Sequence, residues 1–275
     1  MKKFLTDVHT HSDFSFDSDT KLEDMLQTSL RKGMAFYGVS EHFDFDQTVL
    51  LGDPKVSTDG ETYFHAARHL QEDYAGCLNV LVGAEFGYTE NKEADAMYEM
   101  TVKKYAPDFI VNSVHSLNGL DYYNNQPFYR HGVLLEKETA YREYLQFVRR
   151  SLDTPDYEYD ILGHLGYATR YAPYEDKRMP YAQFAEEFDD ILLTVIRKNK
   201  ILEVNCSGGM NALLPQREII ERYFALGGRK VSYASDAHSV EKIGYCREEA
   251  VQMLKEIGFT YLTVPCKGEH IKVEI

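Results

Sequence analysis

No apolar stretch of this 275-residue chain approaches the roughly 18 residues that a membrane-crossing helix needs, and no membrane partner is expected. Met1-Lys2-Lys3 is followed by Phe4-Leu5-Thr6-Asp7, without the apolar core of a signal peptide, so a cytoplasmic protein is expected. Cysteine is sparse: Cys77, Cys206, Cys246 and Cys266 lie far apart with no Cys-x-x-Cys pair, which argues against a disulfide framework or a zinc ribbon and for reduced thiols. Basic residues are outnumbered, 30 Lys and Arg against 44 Asp and Glu, for a formal net charge of −14. With no Lys/Arg stripe to offset that surplus, no nucleic acid partner is expected, although a local metal cluster could still draw a small anion. Gly-x-Gly-x-x-Gly is absent after a first strand, so Gly208-Gly209 and Gly227-Gly228 read as turns and no nucleotide cofactor is expected. Low-complexity linkers are missing too, and one domain over 1–275 is preferred.

What the chain does contain is alternation. Short runs rich in Val, Ile, Leu and Phe occur at 4–8, 35–40, 80–84, 109–114, 160–163, 201–205 and 231–235. Between and after them lie segments of helical period at 21–31, 61–74, 94–104, 139–152, 182–198, 215–226 and 240–257. Seven βα units in succession predict a closed or nearly closed parallel α/β barrel rather than a doubly wound sheet. The residues 259–275 alternate like a terminal hairpin around Lys267-Gly268. Three longer connections stand out, 43–59, 87–92 and 117–137, and the last is rich in Tyr, Asn and Gly as befits a loop over an active-site mouth.

Near the ends of these runs sit residues that ligate divalent transition metals. Asp7-Val8-His9-Thr10-His11-Ser12 places two histidines two residues apart, on one face of an extended strand, where both reach one cation. Asp17 lies in the turn Phe14-Ser15-Phe16-Asp17-Ser18-Asp19; a turn or helix cap would account for either acid, and Asp19 can cap while Asp17 binds. His42 closes the second run, Glu85 the third, His115 the fourth and His164 the fifth, where a merely structural end would carry Gly, Pro or Asn. Asp236 and His238, after the seventh, repeat the two-apart spacing of the opening motif. In register at one mouth these residues read as a multinuclear metal site at the C-terminal ends of the strands.

The ordered set resembles the polymerase and histidinol phosphatase (PHP) superfamily. Gly163-His164-Leu165 through Thr169-Arg170-Tyr171, Glu203-Val204-Asn205-Cys206-Ser207-Gly208 and Ser235-Asp236-Ala237-His238 are similar to the PHP-type histidinol-phosphate phosphatases. The resemblance covers nearly the whole chain, and all nine expected ligand positions are filled. It implies a distorted (β/α)7 barrel holding three divalent ions, with zinc, iron and manganese all compatible with mixed N/O ligation. His9, His11, Glu85 and Asp236 would hold the first ion, Glu85, His115 and His164 the second, and Asp17, His42 and His238 the third, with Glu85 bridging two. The implied reaction is hydrolysis of L-histidinol phosphate to L-histidinol and phosphate, in histidine biosynthesis, by attack of a metal-bridging hydroxide. Another small phosphate ester is the alternative within that family.

Arg170, six residues past His164, is the candidate phosphate clamp, because a guanidinium bonds two oxygens at once; a surface Arg on the same loop is the bland reading. For the proton at the leaving group, a metal-bound water and the Asp236/His238 pair both qualify. Tyr122, Tyr123, Phe128 and Tyr129 either shield the site or pack on neighbouring helices. His65 and His69 have helical i, i+4 spacing but lack the Glu of His-Glu-x-x-His, while His131 and His270 have no partner motif, so none enters the site. Two rivals remain: an amidohydrolase-type hydrolase, which would need one or two ions rather than three, and a non-catalytic PHP module, which would tolerate lost ligands.

Overall fold

Apolar runs flanked by helical segments pair in parallel, since a strand followed by a helix returns to the sheet in the same direction. The computed structural model describes residues 5–52 and 56–275, so position 4 of the first expected strand and positions 53–55 of the expected 43–59 connection lie outside the described residues. Seven strands form one sheet: β1 (Leu5–Asp7), β2 (Met34–Phe43), β3 (Asn79–Gly87), β4 (Ile110–Ser113), β5 (Ile161–Leu162), β6 (Ile201–Asn205) and β7 (Val231–Ala234). Their spatial order is their chain order, and every pairing between neighbours is parallel. The first and last strands meet beyond their ends: a parallel bridge joins Thr10 to Ala237, the Asp236 N–H donates to the His9 carbonyl at 2.9 Å, and the His11 N–H donates to the Ala237 carbonyl at 2.9 Å. The result is a nearly closed seven-stranded barrel, joined at the end where the metal-type residues stand.

Nine α-helices are described: α1 (Leu22–Arg31), α2 (Phe45–Leu51), α3 (Gly60–Asp73), α4 (Lys92–Tyr105), α5 (Lys137–Ser151), α6 (Ala168–Tyr171), α7 (Ala185–Arg197), α8 (Arg217–Ala225) and α9 (Arg247–Ile257). Their apolar faces and the outward faces of the strands share a large core that includes Tyr37, Val39, Phe86, Tyr98, Leu145, Ile191 and Leu254. A second, smaller core of Val8, Leu81, Phe109, Val111, Ile161 and Ile201 also takes Val264 and Val273. These last two come from the hairpin β8 (Tyr261–Cys266) and β9 (Glu269–Glu274), which turns at Lys267-Gly268 as expected.

Side-chain alternation carries three strands from that small core to the site, because residues i, i+2 and i+4 share a face. Leu81, Gly83 and Glu85 are one such series, Val111, Ser113 and His115 another, and Ile201, Glu203 and Asn205 a third. Gly83 leaves the Phe109 ring its place, since a Cβ there would lie 2.4 Å from it. Two expected boundaries are corrected: β2 runs on to Phe43 and β3 to Gly87, so His42 and Glu85 lie inside strands rather than after them. The physical reason is that the parallel ladder continues through His42 paired with Glu85 and Phe43 paired with Phe86. The helical period at 240–257 is realised only from Arg247, because Gly244 (φ +72°) and Cys246 (φ +54°) hold turn conformations before it. The expected 43–59 connection contains α2, and α7 starts at Ala185 rather than at 182.

Candidate metal centre and active site

Glu85 stands at the middle of the mouth, fully buried, with imidazoles on three sides. Its Oε2 lies 2.9 Å from His42 Nδ1, 3.3 Å from His9 Nε2 and 3.6 Å from His11 Nε2. Its Oε1 lies 2.8 Å from His164 Nε2 and 3.1 Å from His115 Nε2, and accepts a 2.6 Å hydrogen bond from Ser113 Oγ. Asp236 Oδ1 is 3.3 Å from His11 Nε2 and 3.9 Å from His9 Nε2. Asp17 Oδ2 is 3.1 Å from His238 Nε2 and 3.6 Å from His42 Nε2, and the rings of His42 and His238 each stack with that of His11, at 4.1 and 4.3 Å. All nine residues singled out from the sequence therefore gather at one mouth.

The donor set fits divalent ions. A carboxylate only accepts hydrogen bonds, so His9 Nδ1 at 2.6 Å from Glu203 Oε1 must carry the proton, as must His115 Nδ1 at 2.9 Å from Asp44 Oδ1. In the neutral rings this turns the Nε2 lone pairs toward Glu85, an arrangement that requires a cation or a proton between them. Among the described residues the buried atoms without a hydrogen-bond partner include His9 Nε2, His11 Nε2, His42 Nδ1, Glu85 Oε2 and His238 Nε2, which all face this centre. Ligand-type atoms lie within 4.8 Å of one another in the groups His9/His11/Asp236, His9/Glu85/His164, His11/His42/His238 and His42/Asp44/His115.

Electrostatics point the same way. Burial pushes the Glu85 carboxyl up, but His9, His115 and His42 outweigh it and hold it well below the usual carboxylate range. Asp236 is depressed likewise, against its burial, by the hydrogen bond from His11 and the charge of His9. Burial opposes charge on His9, His42, His115 and His238, yet the facing carboxylates raise each above the ordinary imidazole value. His11 goes the other way, pushed down to about 3 by burial and then by His42 and His238. A site so rich in negative partners favours any cation, proton or metal, at the same positions.

Three buried carboxylates were not anticipated. Glu203 Oε2 accepts from the His164 N–H at 2.7 Å, so this residue orients two metal-type histidines at once. Glu41 accepts from Ser12 N–H at 3.0 Å, from Ser12 Oγ at 2.6 Å and from Ser15 Oγ at 2.6 Å, fixing the turn that carries Asp17. Asp44 backs His115 and fits against Gly87, where a Cβ would come within 1.9 Å of its Oδ1. The signals existed: a charge inside the apolar β6 run for Glu203, and for Asp44 the same two-apart spacing from His42 that links His9 to His11. Asp236 takes a left-handed backbone conformation (φ +52°), which costs a non-glycine residue about 1–3 kcal/mol and is typical of residues held for function.

Arg170 reaches the same mouth from α6. Its NH2 donates to Asn205 Oδ1 at 2.7 Å and to Ser207 Oγ, its NH1 lies 3.6 Å from Asp236 Oδ2, and its buried Nε has no hydrogen-bond partner. The loop aromatics divide. Tyr122 and Phe128 are buried and pack edge to face with Tyr144 of α5 and with Tyr174, whereas Tyr123 is exposed and meets Tyr171 beside Arg170. His69 pairs with Asp73 on the exposed face of α3, and His270 meets Lys230 at 2.6 Å, both away from the centre.

A family model described as PHP domain matches residues 7–207. The histidinol-phosphatase of Lactococcus lactis subsp. lactis is 28% identical over 265 residues, which span 94% of this chain and 93% of that protein. A protein named probable histidinol-phosphatase from Clostridium acetobutylicum is 28% identical over 255 residues, covering 90% of this chain and 91% of its own. A crystal structure of histidinol phosphate phosphatase from Lactococcus lactis subsp. lactis, complexed with Zn, L-histidinol and phosphate, matches with a TM-score of 0.83 and 25% identity over 97% of this chain and 98% of that one.

Proposed function

This chain belongs to the PHP domain family, and from that premise we propose that it is a metal-dependent phosphomonoesterase that hydrolyses L-histidinol phosphate to L-histidinol and phosphate. The observation that carries the reading is the convergence of nine imidazole and carboxylate side chains on one barrel mouth with Arg170 beside them, in a chain similar over nearly its full length to histidinol-phosphatases.

In this reading three divalent ions would be held, the first by His9, His11, Glu85 and Asp236, the second by Glu85, His115 and His164, and the third by Asp17, His42 and His238. Asp44, set beside both His42 and His115, is an additional candidate ligand or backing group. Ions so placed supply Lewis acidity to phosphoryl oxygens and make water acidic enough to act as a nucleophile near neutral pH.

The chain's own residues do the rest. Arg170 donates from Nε and its remaining N–H groups to the phosphoryl oxygens, neutralising charge and fixing the phosphorus in the mouth. Water oxygen adds to phosphorus, the ester P–O bond breaks, and the departing alkoxide takes a proton. The Asp236/His238 pair, with Asp236 Oδ1 3.8 Å from His238 Nδ1, is one candidate source of that proton, and water at the ions is the other. Tyr167, packed on His115 and His164 at ring distances of 5.2 and 4.9 Å, limits water on that side of the mouth. A cytoplasmic location belongs to the same reading.

Phosphate release across a panel of phosphomonoesters, with metal content measured on the same sample, tests it. A large kcat/KM preference for L-histidinol phosphate with three ions per chain is expected. Three ions with preference for another ester would keep the metal chemistry and replace the substrate. One or two ions and no phosphate release would overturn the reading altogether.

A further inference from the structure

Strand β6 places Glu203 and Asn205 on one face, and Ser207 follows in the turn just beyond the strand; the mechanism above leaves all three unused. We infer that Asn205 is a positioning residue, whose side-chain amide ties the Arg170 guanidinium to the carboxylates Glu203 and Asp236 and thereby sets where a phosphoryl group is clamped. The inference rests on the proposed role of Arg170 in binding phosphate.

Chemistry fixes the orientation of the amide. Glu203 and Asp236 only accept hydrogen bonds and Arg170 only donates, so the Asn205 nitrogen must face the acids and its oxygen the guanidinium. The distances agree: Nδ2 lies 3.1 Å from Glu203 Oε2 and 3.3 Å from Asp236 Oδ2, while Oδ1 accepts from Arg170 NH2 at 2.7 Å. Oδ1 also accepts from the Ser207 backbone N–H at 3.1 Å and lies 2.7 Å from Ser207 Oγ. Ser207 Oγ is in turn 3.2 Å from Asp236 Oδ2 and contacts Arg170 NH2. Both amide hydrogens and the amide oxygen are therefore engaged, and Asn205 is fully buried. Its backbone is pinned as well, the N–H donating to the Leu214 carbonyl at 2.8 Å and the carbonyl accepting from the Leu214 N–H at 3.1 Å.

From its own segment the Arg170 guanidinium gains only the Tyr167 ring, 5.8 Å away. Arg170 sits on α6, a helix of 4 residues, so the aim of its long side chain is set from β6 rather than by its own element. The arrangement leaves the buried Nε with an unused hydrogen-bond donor. Glu203 holds His9 and His164 at the other end of the same strand face, so one rigid strand aligns the metal-type histidines with the guanidinium.

The test measures metal content, kcat and KM on L-histidinol phosphate, and inhibition by inorganic phosphate, for Asn205→Ala, Asn205→Asp, Arg170→Ala and the double variant Asn205→Ala/Arg170→Ala. Asn205→Ala should keep the wild-type metal content and raise KM and the phosphate Ki about tenfold, with a smaller effect on kcat, as expected for one lost buried partner. Asn205→Asp, although nearly isosteric, should be worse than the alanine variant because it sets a third acceptor against Glu203 and Asp236. In the Arg170→Ala background, Asn205→Ala should add less than about twofold, the non-additivity of residues that act through one another. Should Asn205→Ala fail to fold, Ser207→Ala should move the phosphate Ki in the same direction by roughly threefold. If Arg170→Ala weakens phosphate while neither Asn205→Ala nor Ser207→Ala does, or if the Asn205 effect is undiminished without Arg170, the inference is overturned. If Arg170→Ala itself leaves phosphate inhibition unchanged, it is the clamp assigned under the proposed function that falls, taking the inference with it.

Discussion

The two sides of the candidate metal centre are built differently. His9, Glu85 and His164 are buried on or beside barrel strands, with Glu203 and Ser113 hydrogen-bonded behind them. Asp17 and His238 come from loops, and their side chains are 38% and 30% exposed. On the buried side, strand pairing and a second set of buried acceptors determine where each ligand atom points. On the open side, the positions depend on a turn held by Glu41 through Ser12 and Ser15 and on Ser18 Oγ, which donates to the His238 carbonyl at 2.8 Å. Rigid ligands bind an ion with little loss of freedom, whereas loop ligands lose freedom when the ion binds. The buried side should therefore retain ions that the open side exchanges.

The largest effect is expected where both sides meet. Glu85→Gln removes the carboxylate that faces five imidazoles, and should cost on the order of 10²–10³-fold in kcat/KM together with most of the bound metal. Wild-type turnover at full metal content in that variant would remove the bridging role. Arg170→Ala should come next, raising KM and the phosphate Ki roughly 10- to 100-fold at unchanged metal content, since it removes charge-assisted bonds to phosphate but no ligand. Asp17→Asn bears most directly on the contrast. It should release about one ion per chain and leave the others bound, and a chelator titration of the wild type should show one ion leaving ahead of the rest. A single concerted loss would mean that the two sides are one cooperative site.

The smallest effect is the pH dependence. His9, His42, His115 and His238 are raised above the ordinary imidazole value in the ion-free protein. The stability they contribute is present below their unfolded value and is lost as pH rises through the raised folded values. Ion-free protein should therefore lose Tm as pH rises past the ordinary imidazole value, whereas the gain in Tm on adding metal should grow, because ions displace protons from these rings. A gain in Tm independent of pH would show that the imidazoles are not ligands.

Much of this architecture could be read from residue order. Each apolar run stands where a barrel strand stands, and the terminal hairpin turns at Lys267-Gly268. Eight of the nine metal-type residues were visible because polar side chains at the ends of apolar runs violate the usual punctuation of strands, whereas Asp17 sits in a turn that would carry an acid anyway. Glu203, Glu41 and Asp44 were harder to see, because a buried acid adjoining another motif residue gains its meaning only from the partner across the barrel. His9 and Glu203 are 194 positions apart, and Ser12 and Glu41 are 29 apart. The expected end of β2 fell short of His42 for a related reason: continuation of the ladder is decided by β3, which pairs His42 with Glu85.

Periodicity and composition thus decided the class of fold, the mouth at which chemistry occurs and the kinds of atoms available there, since those depend on local spacing and side-chain type. Closure of β1 against β7, the aim of each imidazole and the link from Asn205 to Arg170 were decided only in three dimensions. The physical reason is that hydrogen-bond direction and burial are properties of pairs, and the pairs that matter here are joined by barrel closure rather than by neighbourhood along the chain.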